Sequence, residues 1–209
     1  MPFTSFTELV SSIQDTLNRA DLTPVAPDFI VLAESELNRR LHTQNMITRD
    51  DAFVIDAQYV PLPADFLSMR SIRITSVSPT QKLMYRTPNQ MADWMTCHND
   101  NAGRPTYFTI AGGSLEVERA PDMAYTAEIS YYSKIPPLTS DNPSNWLLEN
   151  HPDAYLYGAL LQSAPYLKDD DRIQVWQNLY QNIIQEITGQ DQEAAYSGGT
   201  MAASIRSIG

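Results

Sequence analysis

Metal or nucleophilic chemistry in this sequence would have to run through His42, His98, His151, Cys97 and the acidic run Asp169-Asp170-Asp171. A metal site on one helix face needs ligands about four residues apart, and no two of the histidines have that spacing. Cys97-His98 pairs a thiol with an imidazole. Nucleophile and base normally meet across a fold, however, and sequence neighbours rarely face each other. The pair therefore reads as a surface loop following a short helix. His151 stands before Pro152 at a helix start, a capping position. His42 follows the basic helix end Arg39-Arg40, where a cation complements the helix dipole. The aspartate triplet suits a helix N-terminus better than a magnesium site, for the same two reasons of capping and dipole. Asp50-Asp51 and Glu116/Glu118 read as solvated turn and strand positions. There is no phosphate-binding loop, dinucleotide fingerprint or nucleophile elbow. Gly112-Gly113 precedes no helix that could hold a phosphate. The expectation is a protein that is not an enzyme and that needs neither cofactor nor metal.

Bulk properties narrow the class further. The net charge is −11, from 14 basic and 25 acidic residues, and no basic run exceeds Arg39-Arg40. Binding to nucleic acid requires clustered cations that displace counterions from phosphates, so DNA or RNA is not expected as a direct partner. With 43% hydrophobic and 19% charged residues, the 209-residue chain has the composition of a globular protein. Its single cysteine allows no disulfide within the chain. The start of the chain lacks the basic and apolar regions of a signal peptide. No apolar run approaches the ~18 residues of a membrane span. Synthesis in the cytosol is expected.

Several elements would position these residues. Ser5-Phe6-Thr7-Glu8 fits a capping box, followed by Phe6, Leu9, Val10, Ile13 and Leu17 at helical spacing to about Arg19. Pro27 opens a second helix to about Leu41, with Ile30, Ala33, Leu37 and Leu41 as its stripe and Glu36–Arg40 as an exposed pair. After His42 the period changes. Met46–Ile55, Gln58–Leu62, Phe66–Thr75 and Lys82–Tyr85 read as strands, the second confined to an edge or kept very short by Pro61 and Pro63. In the third, Met69, Ser71, Arg73 and Thr75 alternate against Arg70, Ile72 and Ile74. Thr87-Pro88 starts a short helix to about Met95. Two runs, Thr106–Ala111 and Ser114–Glu118, meet at Gly112-Gly113 as a hairpin. Tyr125–Tyr132 is the closing strand. A turn or short helix within Asn142–Leu148 leads to a buried helix from Pro152 to about Ala164. The last long helix carries Ile173, Trp176, Tyr180, Ile183, Ile184 and Ile187 on one stripe. The fold class expected is α+β: a bundle of the N- and C-terminal helices, a central antiparallel β-rich insertion and an extended C-terminal tail. The expected boundaries are 1–44, 45–137, 138–196 and 197–209. The aromatic residues of the C-terminal half, Tyr131-Tyr132, Trp146, Tyr155, Tyr157, Tyr166, Trp176 and Tyr180, are expected in core or interface, some of them at subunit contacts.

Ala33–Leu41, Leu62-Pro63-Ala64-Asp65-Phe66-Leu67, Asn145–Leu148, His151–Leu161, Ala164–Asp170, Trp176, Tyr180 and Tyr196-Ser197-Gly198-Gly199 together resemble the head–tail adaptor (connector) proteins of tailed bacteriophages. The resemblance covers nearly the whole chain and carries no catalytic motif. It implies a homo-oligomeric ring, twelvefold, beneath the portal protein of the virion. That ring would extend the DNA channel, offer its far side to tail or nozzle proteins, and pass genomic DNA without reading its sequence. It also implies that the C-terminal segment reaches the portal, with Gly198 and Gly199 as hinge, Met201, Ile205 and Ile208 as apolar anchors and Arg206 as a polar one. A tail-terminator or minor tail subunit is the alternative within phage structure. A small metal-dependent hydrolase, with His42, His98 and His151 converging on carboxylates, is the alternative from another class.

Overall fold

The computed structural model describes residues 3–22, 24–97, 101–167 and 171–196. Its chain divides into two units: Met1–Asn45 with Ile135–Gly209, and Met46–Lys134.

The first unit is helical. α1 (Phe6–Leu17) is capped by Ser5, whose side chain accepts from the Glu8 N–H. Glu8 reaches back to the Thr4 N–H at 2.7 Å, so this capping box closes one residue earlier than expected. α1 ends at Asn18, which adopts φ 51° and accepts the left-handed turn that asparagine tolerates. α2 (Ala26–Arg40) buries Ile30, Ala33 and Leu37, and Glu36 pairs with Arg40 at 3.0 Å. α4 (Trp146–Asn150) is capped by the Asn145 side chain. α5 (Pro152–Gln162) buries Ala154, Tyr155, Gly158, Ala159 and Leu160, and α1, α2 and α6 all pack against it. Gly158 is what allows that approach. A Cβ there would lie 3.3 Å from both the Ala33 Cβ and the Tyr180 ring. α6 (Arg172–Tyr196) turns Trp176, Tyr180, Ile184 and Ile187 inward. Helices from both ends of the chain thus share one core, as the stripes predict.

The second unit holds two four-stranded sheets around one apolar core. β1 (Ile47–Ile55), β8 (Tyr125–Ser133), β3 (Phe66–Ile74) and β4 (Gln81–Lys82) form one sheet in that order. β2 (Tyr59–Pro61), β7 (Ser114–Val117), β6 (Tyr107–Ala111) and β5 (Met84–Tyr85) form the other. Ile72, Ile74, Ala127 and Ile129 of one sheet meet Phe108, Leu115 and Val117 of the other in the core. The hairpin between β6 and β7 turns on Gly112 and Gly113 at φ 58° and 78°, as the glycine pair predicts. β2 is three residues long and lies at an edge, as its prolines require. α3 (Pro88–Cys97) is capped reciprocally by Thr87 and Gln90 and rests on β6 through Trp94 and Tyr107, whose ring centroids lie 5.2 Å apart.

Several expectations need correction. The stretch Lys82–Tyr85 is not one strand. It divides between the two sheets, with Leu83 buried at the crossing. β5 pairs with β6 in parallel, so the insertion is not wholly antiparallel. Tyr125–Ser133 does not close a sheet but lies at the centre of one, between β1 and β3. Its buried alternation on Tyr125, Ala127, Ile129 and Tyr131 suits that place. Arg70 does not share the buried face of Ile72 and Ile74, because the pairing of β3 with β8 shifts between Met69 and Ser71 and leaves Arg70 exposed. Glu118 is not solvated but 4% exposed.

Candidate functional site

The residues singled out for chemistry are only partly described. His98, Asp169 and Asp170 lie outside the described residues, and Cys97 is the exposed last residue of α3, not part of a loop. His42 is exposed, while His151 is half-buried. His151 occupies the junction of α4 and α5 and serves it through its backbone. Its N–H donates to the Leu147 carbonyl and its carbonyl accepts from Ala154, while its side chain makes no cap bond. Among the described residues, no three His, Cys, Asp or Glu side chains stand close enough to hold a metal ion. No described helix is long and apolar enough to cross a membrane.

The expected portal-binding residues, Gly198, Gly199, Met201, Ile205, Arg206 and Ile208, all lie outside the described residues.

Two buried carboxylates hold loops in place: Glu34, which sequence patterning passed over, and Glu118, which it read as solvated. In the helical unit, Glu34 of α2 is 6% exposed. It accepts from the Leu138 N–H at 2.7 Å and from the Tyr155 hydroxyl at 3.3 Å. Asn145 donates to both the Tyr155 oxygen and the Pro136 carbonyl at 2.7 Å. Asn38, one turn along α2, accepts from the Ile135 N–H at 2.8 Å. The Pro-rich stretch 135–138 cannot form a ladder of its own, and these side chains satisfy its polar groups instead. Burial pushes the Glu34 carboxyl above its ordinary value, partly offset by the Leu138 amide and the Tyr155 hydroxyl. Burial likewise pushes the Tyr155 hydroxyl far up, and the nearby Glu34 charge adds to it. In the β unit, Glu118 accepts from the Thr106 N–H at 2.8 and 2.9 Å and from the Tyr107 N–H at 2.5 Å, fixing the entry to β6. Both carboxylates are occupied by backbone amides of the loops they hold, which is a structural role.

The surfaces suited to contact with other chains are of a different kind. In the helical unit Val31 and Leu32 of α2, Tyr166, and Val175 and Leu179 of α6 are exposed apolar side chains. Tyr166 meets the expectation of partly exposed aromatics, whereas Tyr155, Trp176 and Tyr180 are core. In the β unit a hollow of about 850 Å³ lies beside β3, lined by Met69, Ile72, Met84, Tyr85, Phe108 and Ile110 among others. Met84 and Tyr85 are more than half exposed there. On the opposite flank of β3, Arg49 and Arg73 both reach Glu128, at 3.3 and 2.6 Å.

A bundle and a two-sheet insertion with exposed apolar side chains and open strand edges, and with buried carboxylates spent on loops, are the parts of a structural assembly subunit. The family model described as SU10 adaptor protein matches residues 4–204. The chain belongs to that family, whose members are phage head–tail adaptors, structural proteins of the virion. No curated protein matches it.

Proposed function

We propose that this chain forms a ring, twelvefold, seated beneath the portal, where it extends the DNA channel and joins the capsid to tail or nozzle proteins. The observation that carries the reading is family membership across residues 4–204, which spans both units. The net charge of −11 supports a conduit that lets DNA pass, since dense cationic contacts with phosphate would hold it back. The segment Ser197–Gly209 is the arm that reaches the portal. Gly198 and Gly199 give it freedom to turn, Met201, Ile205 and Ile208 supply apolar anchors, and Arg206 supplies a cation. A segment this small cannot bury a core alone, so its apolar side chains need a partner's surface.

The test is a chain ending at Tyr196, supplied in place of the full chain during phage growth and followed by imaging of the particles. The expected result is portal-bearing heads without an adaptor ring and without retained DNA. Normal rings and filled virions would refute the portal-reaching arm. A ring located away from the portal would refute the placement.

A further inference from the structure

Among the described residues, the sheet β1-β8-β3-β4 is open at both ends, and β1, nine residues long, has a strand neighbour on the β8 side only. At the other end β4 pairs with β3 only at Arg73 and Ile74, and Leu83 adds one bond to the Ile72 carbonyl. From Phe66 to Ser71, β3 therefore has a strand neighbour on one side only among the described residues. Long open edges invite another strand and are normally covered.

The two open stretches match in height, direction and charge. Ile47 and Asp50 of β1 face Tyr132 and Ile129 of β8, whose partners on β3 are Ser68 and Ile72. β1 and β3 both run antiparallel to β8, so they run parallel to each other. At the β3 end Arg70 and Lys82 are exposed and make no ion pair among the described residues, in a chain whose net charge is −11. At the β1 end stand Asp50 and Asp51, the latter exposed. The pairing of β1 with β8 is interrupted between Asp50 and Phe53, at the height where β4 begins to cover β3, and resumes from Phe53 to Ile55.

We propose that the open half of β3 receives β1 of a second copy of this chain, as a parallel strand addition. Ile47–Asp50 of one copy lies along Phe66–Ser71 of the next, and Asp51 meets Lys82 and Arg70. The backbone edge supplies the hydrogen bonds, and the apolar hollow beside Met69 and Tyr85 receives side chains of the incoming copy. Because donor and acceptor edges are opposite ends of one sheet, the contact is head-to-tail and propagates. Such a contact closes into a ring when its rotation closes. The inference rests on the reading of the chain as a ring subunit and names the contact that builds the ring.

Within one chain, β1 and the Lys82 strand are three strand spacings apart, about 14 Å, beyond a zero-length link. Carbodiimide treatment of purified phage particles, followed by peptide mass spectrometry, is expected to give an Asp51–Lys82 linked pair, which must join two copies. Asp51→Lys and Lys82→Asp, each alone, are expected to lower the yield of adaptor-bearing particles about tenfold, and the two together to restore it. Intact rings that give no such linked pair and tolerate each single reversal overturn this contact while leaving the ring standing. Particles in which imaging shows no ring overturn both.

Discussion

The helical unit and the β unit each bury one loop-holding carboxylate, but they differ in where their other polar side chains bond. In the helical unit, buried and half-buried side chains tie together parts of the sequence that lie far apart. Glu34 holds the Leu138 amide, Asn38 holds Ile135, and Gln162 reaches Glu36 at 2.9 Å. In the β unit the hydrophobic cluster between the sheets includes the rings of Tyr125 and Tyr131, and Thr109, Glu118 and Ser130 are buried in the same unit. The two tyrosine hydroxyls reach Asp122 at 2.6 Å and Asp65 at 3.1 Å at the rim. Burial, with Asp65 adding to it, pushes the Tyr131 hydroxyl up to about 12. The difference follows from backbone chemistry. A helix satisfies its own N–H and C=O groups, so a bundle can finish its surface and needs polar side chains only where irregular chain threads through it. A sheet satisfies its backbone sideways and leaves edges, so its unfinished business is at the rim.

The largest effect expected is in the helical unit. Tyr155→Ala removes a fully buried ring at the centre of the bundle and the hydroxyl that joins Glu34 to Asn145. It should cost about 3–5 kcal/mol in urea unfolding. A loss below about 1 kcal/mol would mean that the bundle does not depend on its polar knot. Next comes Glu118→Ala, which strands the amides of Thr106 and Tyr107 and should cost about 1–3 kcal/mol. Hydrogen exchange at those two amides should quicken first. If exchange quickens throughout the bundle instead, the two units do not separate as described. Gly113→Val places a branched side chain at φ 78° and should cost about 1–2 kcal/mol, although nothing crowds its Cβ.

Glu34→Gln keeps one acceptor for Leu138 and should change stability by about 1 kcal/mol or less at any one pH. Its signature is the pH dependence. A carboxyl raised above 4.5 in the folded state contributes stability that is complete below that value and lost as pH rises through the raised one. The stability of the parent chain relative to Glu34→Gln should therefore fall as pH rises above about 4.5, as parallel melts across a pH series would show. A flat difference would place Glu34 in contact with water. Met84→Ser, on a half-exposed residue beside the open edge, should leave the isolated chain within about 0.5 kcal/mol. A large loss there would make the rim of the β unit part of its core.

Much of the helical unit was legible because its signals are local. The Ser5 cap, Pro27 and Pro152 at helix starts, and the stripes of Ile30–Leu37 and Trp176–Ile187 each lie within a few turns of chain. The Gly112-Gly113 hairpin was equally plain, because two adjacent positive φ angles are a property of two residues. Period-2 alternation located the strands but not their neighbours. It could not place β8 at the centre of a sheet or split Gln81–Tyr85 between two sheets. It also could not expose Arg70, because a bulge forms only when a partner strand imposes its register.

By itself, then, the sequence determined the helices, the hairpin, the composition of the core stripes and the resemblance to phage adaptors. These rest on spacing along the chain. Only the tertiary structure decided that Glu34 and Glu118 are buried and that, among the described residues, both ends of one sheet are open at matching heights. Those facts depend on which residues meet across about a hundred positions of sequence, as Glu34 meets Leu138. Meetings of that kind are set by the packing of whole elements and not by any local pattern.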